Sequence, residues 1–416
     1  MSRPEAGDFF TEPASGRGRS LVPPVRPTRR SLIAGGLGAV AAAAVPLSAP
    51  GHASAAGLIP IRLAGPTGPA PVGAVELHLV DRSRTEPRSG TGEPRELMVT
   101  VHYPAADVRG HAPLPWLPSG AERAVKARFG GAVDGYALPW THSADRAPAR
   151  PGRRPVLLYS PGYTSDRTFN TLVVEDLVSW GYVVVTVDHP YDSGEVEFPD
   201  GRVVTCPEPD PVGRAEAVAV RADDLRFVLD QLAVVDRGGN PDAQRRPLPR
   251  GLCGSLDLTR TGAFGHSRGG AASAAVMYLD ERVRAGIDLD GALYGPVVEH
   301  GLDRPFLLMD TAVHDGMDQD PTWHPFWERL SGWRRCLRLA DADHSSYTDL
   351  VAIAPQVPEA VRQRLQVGTI PADRAVAAVR ATVRAFFDLR LRGRPDTAHL
   401  LDGASPRYPE IGYIAG

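Results

Sequence analysis

Gly265-His266-Ser267-Arg268-Gly269 sets a serine between two glycines, with a third at Gly270. An apolar run at 261–264 precedes it and a helix-compatible run at 271–279 follows, so the spacing predicts a serine on a tight strand-to-helix turn. Such a turn pushes the hydroxyl out beyond the sheet edge, and only small flanking residues permit the strained backbone. The amide of Arg268 then lies at a helix N-terminus, where it can donate to a developing oxyanion. A glycine-rich turn without chemistry could carry the same letters, but the strand before and helix after favour a nucleophile for acyl transfer.

A serine hydroxyl attacks only when a base takes its proton, and that base is held by a carboxylate, in the chain order serine, acid, histidine. The histidines after Ser267 are His300, His314, His324, His344 and His399. His344 stands in Ala340-Asp-Ala-Asp-His344, just beyond the strand-like run 336–339, where the base of such a fold belongs. For the acid, chain position leaves Asp290, at the end of the strand-like 285–289, Asp310, and Asp315, which follows the next strand in the more usual place. Spacing alone slightly favours Asp315. The second oxyanion donor comes from the loop after the first central strand. Here that loop is Ser160-Pro-Gly162-Tyr163, with the Tyr163 N–H as donor and Gly162 letting the backbone come close.

Positioning these groups requires a sheet whose strands end together. Residues 155–159, 182–187, 261–264, 285–289 and 306–309 are short and apolar like buried strands, whereas 75–80 and 97–102 alternate like strands near an edge. Leu225, Val228, Leu229 and Leu232 recur at helical spacing, and 374–391 shows a similar period. Strands alternating with helices predict an α/β fold with a mostly parallel central sheet flanked by helices. Residues 107–154 break that alternation with many prolines, glycines and aromatics (Trp116, Phe129, Tyr136, Trp140), and read as an ordered, lid-like insertion before the first central strand.

The chain has 416 residues, a net charge of −3, 43 glycines and 40 prolines, with 43% hydrophobic residues. This excludes a coiled coil and suits a loop-rich globular enzyme. Of its 46 cationic residues all but Lys126 are arginine, and no basic block lies outside the N-terminal segment, so a nucleic-acid footprint is not supported. Residues 1–55 read as a signal peptide: Thr28-Arg29-Arg30-Ser31-Leu32-Ile33 opens an Ala/Gly/Leu/Val run, and Ala53-Ser54-Ala55 is a small-residue cleavage pattern. The paired arginines resemble a twin-arginine signal, which predicts a secreted domain over 56–416 with no stable membrane span. Cys206, Cys253 and Cys336 are too few for a disulfide framework or a zinc site, and no cofactor is implied. An oxidising destination leaves Cys206 to Cys253 as the first disulfide to examine.

From about residue 75 to 349 the chain resembles the platelet-activating-factor acetylhydrolases of the plasma and intracellular type II kind, within the α/β-hydrolase superfamily. The likeness is carried by the Trp/Pro-containing insertion, residues 157–163, Val185-Thr-Val-Asp-His-Pro190, residues 265–270, Gly286-Ile-Asp-Leu-Asp290 and the His344 loop. The resemblance implies an α/β-hydrolase fold and a Ser267, His344, Asp290 set, because in that family the acid follows the nucleophile by one strand; Asp315 becomes the alternative. It also implies short-acyl or oxidised phospholipid esters as substrates, with transient lipid-surface contact. The chain departs from the family where Pro161-Gly162 replaces the usual His-Gly, and Ser-Pro-Gly-Tyr-Thr resembles bacterial cutinases and polyester hydrolases. That leaves a cutinase-like or general short-chain esterase as an alternative, and a noncatalytic exported binding protein on the same fold as one from another class.

Overall fold

The computed structural model describes residues 57–416 except Glu208 and Pro209, so the signal-peptide expectation for 1–55 lies outside the described residues. Ile59–Gly416 packs as one unit. Its main sheet comprises, in chain order, β1 (Val72–Thr85), β2 (Pro94–Pro104), β3 (Pro113–Pro115), β4 (Trp140–Asp145), β5 (Arg154–Ser160), β6 (Val183–Asp188), β7 (Leu256–His266), β8 (Val283–Leu289), β9 (Phe306–Thr311), β10 (Arg334–Leu339) and β11 (Ile411–Ala415). Across the sheet they lie in the order β11, β10, β9, β8, β7, β5, β6, β2, β1, β4, β3. The run from β6 through β5, β7, β8 and β9 to β10 is parallel, and antiparallel strands flank it on both sides. Every strand expected from the apolar runs is present.

Both faces of the central strands are buried, which explains their continuous apolar runs. Val156 and Leu158 of β5 point into one core with Leu225, Val228, Leu229 and Leu232 of the helix Arg214–Asp236. Leu157 and Tyr159 point into the opposite core with Val379, Val383, Phe386 and Phe387 of the C-terminal helix Ala372–Arg392. In chain order the helices that matter below are α1 (Ser119–Arg128), α2 (Thr171–Ser179), α3 (Arg214–Asp236), α4 (Arg268–Leu279) and α5 (Ala372–Arg392).

The segment 107–154 is ordered. It supplies α1 and extends the sheet edge with β3 and β4, so β1, paired with β2 on one side, has a neighbour on the other. Trp116 is buried, stacks on Phe169 at 4.7 Å and donates its indole N–H to Asp349 at 2.9 Å. Trp140 instead lies on an outer strand and is 61% exposed. The three cysteines are free thiols, so the Cys206–Cys253 pairing that the sequence left open is not made. Cys253 lies against Asp236 at the C-terminal end of α3, while Cys206 packs beside the Tyr163 hydroxyl. Among the described residues no helix is long and apolar enough to cross a membrane.

Candidate active site

β7 ends at His266 and α4 begins at Arg268, leaving Ser267 as the whole connection. Its φ of 54° and ψ of −125° are costly for a residue with a Cβ, as expected at a strained nucleophile turn. The Ser267 N–H donates to the Leu289 carbonyl at 2.9 Å, tying the turn to β8. The glycines around it are required by space. A Cβ on Gly265 would lie 2.2 Å from the Gly269 carbonyl carbon, one on Gly269 would lie 2.0 Å from the Ser160 carbonyl oxygen, and one on Gly270 would lie 1.7 Å from Asp288 Oδ1.

His344 opens a 3-10 turn, His344–Tyr347, whose N-cap is Asp343 in a reciprocal capping box with Ser346. That cap fixes the loop after β10. His344 Nδ1–H donates to Asp290 Oδ2 at 2.7 Å. The His344 carbonyl accepts from His266 Nε2 at 2.9 Å, with the two rings 4.5 Å apart, so His344 is held against the residue preceding Ser267. Burial, with repulsion from the His344 side chain, pushes His266 down to about 3. His266 is therefore neutral at working pH, with Nε2 carrying the proton and Nδ1 turned toward Gly162.

Asp290 has a φ of 63° and follows β8, with its own N–H on the Met309 carbonyl at 2.8 Å. Besides His344 it accepts from the Thr311 N–H at 2.9 Å and the Thr311 hydroxyl at 3.1 Å. Burial alone would raise this carboxyl; its bonds with His314 and His344 more than offset that and hold it ionised, below its ordinary range. Asp315 sits in a left-handed conformation one strand later and pairs with Arg338 and Gln319. Asp310 pairs with Arg338 at 2.6 Å. Among the described residues, the carboxylate that meets His344 is thus Asp290.

His314 occupies the other side of Asp290. Its Nδ1 is 3.3 Å from Asp290 Oδ1 and its Nε2 3.0 Å from Asp320 Oδ2, with the Trp323 ring against its edge. Burial works against its charge, but the bonds to Asp290 and Asp320 raise it from 6.5 to about 10. The stabilisation this confers is fully present below pH 6.5 and is lost as pH rises through about 10. His314→Gln is therefore expected to flatten the decline of melting temperature between those limits, as followed by thermal unfolding across a pH series. Asp290, Asp310 and His314 offer ligand atoms within 4.8 Å of one another. These atoms are already engaged by Thr311, His344, Arg338 and Asp320, so the grouping is built as an internal network.

The loop after β5 brings Tyr163 beside this set. Gly162 lies so close to His266 that a Cβ there would be 3.0 Å from Nδ1. The Arg268 guanidinium stacks on the Tyr163 ring at 4.1 Å and pairs with Asp192 at 3.1 Å and Asp210 at 2.9 Å. The two residues expected to supply oxyanion donors are therefore side by side. Sequence reasoning missed the buried ions behind this loop, where Asp192 receives Arg88, Arg221 and Arg268. One signal was present: Arg221 falls four residues before Leu225, on the apolar stripe of α3, where a charge needs a partner.

A mostly parallel mixed sheet, a strained serine turn after a central strand and a histidine loop after a late strand define an α/β hydrolase. No family model matches the chain. It is 30% identical over 384 residues to a probable 1-alkyl-2-acetylglycerophosphocholine esterase of Arthroderma benhamiae, a match covering 84% of this chain and 92% of that protein. It is 23% identical over 226 residues to the platelet-activating factor acetylhydrolase of Cavia porcellus, covering 49% of this chain and 50% of that one. Among solved structures, a ferulic acid esterase from Streptomyces cinnamoneus superposes with a TM-score of 0.73 at 36% identity, over 85% of this chain and 99% of that one. The chain belongs to the platelet-activating-factor-acetylhydrolase-like family of α/β hydrolases. It is an esterase, and its substrate is a small-molecule ester.

Proposed function

We propose that this chain is an exported serine carboxylic ester hydrolase working through an acyl-enzyme. The observation that carries the reading is the join between the Ser267 turn and the His344–Asp290 pair, made by the His266 to His344 hydrogen bond. In this mechanism His344 removes the Ser267 proton as the hydroxyl attacks the ester carbonyl, and Asp290 holds the imidazole tautomer and stabilises the imidazolium. The amides of Tyr163 and Arg268 receive the tetrahedral oxyanion, each worth about 3 kcal/mol in the transition state. The imidazolium then protonates the leaving alcohol, and water, activated by the same histidine, releases the acid. No step needs a metal.

For substrate, the relatives named for 1-alkyl-2-acetylglycerophosphocholine and for platelet-activating factor support a short sn-2 acyl group on a phospholipid, met in transient contact with a lipid surface. A second reading is favoured by the ferulic acid esterase at 36% identity: an aromatic or general short-chain carboxylic ester. A panel of nitrophenyl esters from acetyl to decanoyl, a phospholipid with a short sn-2 acyl group, and methyl ferulate separates them. The first reading expects the highest kcat/KM on the short-acyl phospholipid and a steep fall beyond short chains. A preference for methyl ferulate or for long chains overturns it.

Export is proposed from residues 1–55, with Arg29 and Arg30 as the twin-arginine pair. Replacing both by lysine is expected to leave the protein inside a twin-arginine-competent host, as read by cell fractionation; undiminished export would refute that route.

A further inference from the structure

Arg221 is fully buried in α3, and its guanidinium donors are divided between Asp192 and the loop that carries Tyr163. Nε and Nη2 form a fork onto Asp192 at 3.0 and 2.5 Å. Nη1 donates to the Pro161 carbonyl and to Ser160 Oγ, the latter at 3.3 Å. Nη2 also donates to the Gly162 carbonyl at 3.1 Å. Asp192 holds the far end of the same loop, its carbonyl accepting from the Thr164 N–H at 2.9 Å.

The Gly162 carbonyl and the Tyr163 N–H belong to one peptide group. In a planar trans peptide the C=O and N–H point in opposite directions, so whatever holds the oxygen aims the hydrogen. A charged donor on the carbonyl also polarises the peptide and strengthens its N–H as a donor. We propose that Arg221 is a positioning residue for the oxyanion hole, setting the direction and donor strength of the Tyr163 N–H from behind the loop without touching substrate. This rests on the reading of Tyr163 as an oxyanion donor.

The neighbours support a dedicated clamp. Ser160 Oγ, which Arg221 also holds, is 2.9 Å from His189 Nε2, and His189 Nδ1–H donates to Asp224 at 2.8 Å. Burial pushes His189 down to about 4, so of the two groups on Ser160 Oγ the charged one is Arg221. Asp192 is divided among Arg88, Arg221 and Arg268 and cannot follow Arg221 alone. Lysine at position 221 would keep the charge but could not reach the carboxylate fork and both carbonyls together.

Arg221→Met and Arg221→Lys, measured on the full chain, test the proposal. Competent sites are counted first by exhaustive titration with a fluorophosphonate, so that loss of folded protein is not scored as loss of rate. Per titrated site, kcat on nitrophenyl acetate is expected to fall roughly 10²–10³-fold in Arg221→Met with KM within about threefold, and less in Arg221→Lys. Affinity for a trifluoromethyl ketone, which forms the tetrahedral adduct, should fall by the same factor as kcat. A kcat per site within about threefold of the parent, or a parallel loss in KM, would overturn the clamp. If Arg221→Met yields too little folded protein, Arg221→Lys and Asp192→Asn carry the same comparison. Tyr163→Pro, which lacks the N–H, keeps the two readings apart: an undiminished kcat there sinks the oxyanion assignment itself, whereas a loss there with no loss at Arg221 sinks only the clamp.

Discussion

Ser267→Ala is expected to lower kcat on nitrophenyl acetate by roughly 10⁶ while the protein remains folded, by analogy with serine hydrolases whose nucleophile has been removed. The hydroxyl leaves without disturbing its surroundings, because the bond that ties the turn to β8 is made by the Ser267 backbone, not its side chain. Alanine keeps the Cβ, so the strained φ of 54° is neither relieved nor worsened. What disappears is the atom that would carry the acyl group. Residual turnover should reflect only an oxyanion-stabilising pocket and bound water, which leaves a modest acceleration over solvent. Equal chromatographic behaviour and melting temperature, with kcat lowered roughly 10⁶-fold, is the pattern to measure.

Asp290→Asn is expected to cost about four orders of magnitude in kcat, and Asp315→Asn no more than a few-fold. The asparagine fits the same space, but its amide N–H₂ can turn toward His344 Nδ1. A donor there forces the proton onto Nε2, so the ring presents an N–H to the serine instead of a lone pair. Asp290 also carries His314, and the lost charge should lower that histidine as well, so the variant's stability should depend less on alkaline pH. Asp315 is engaged by Arg338 and Gln319 and not by His344, and Arg338 keeps Asp310, so its removal leaves the His344 bond untouched. Steady-state kinetics of the two variants side by side decide between them.

The turn at Ser267 and the loop at His344 were legible as structure because their signals are local: a turn whose glycines crowd other backbone, and a loop just past an apolar strand. Asp290 was harder. Two adjacent strand ends each carry an aspartate, and spacing cannot say which loop turns its carboxylate to the histidine. The structure answers through backbone conformation and a partner 23 residues away: Asp315 turns to Arg338, while Asp290 folds back onto Thr311 and His344. The family resemblance had pointed to the same residue. The central strands were readable because burial on both faces makes them apolar throughout. β3 and β4 were not, since Pro113–Pro115 is a three-residue strand with proline at both ends, a composition confined to sheet edges. Arg221 and Asp192 escaped notice because their meaning lies in a contact across 29 residues. Only Arg221's place on an apolar helical stripe hinted at a buried partner.

Passage of the acyl group through Ser267 is tested most directly by covalent labelling. The purified chain should take up one equivalent of a fluorophosphonate with complete loss of esterase activity, and peptide mapping should place the label on Ser267. The Ser267→Ala protein should take up none. Label on another residue with activity lost in parallel, or full activity after Ser267 is modified, would contradict the account.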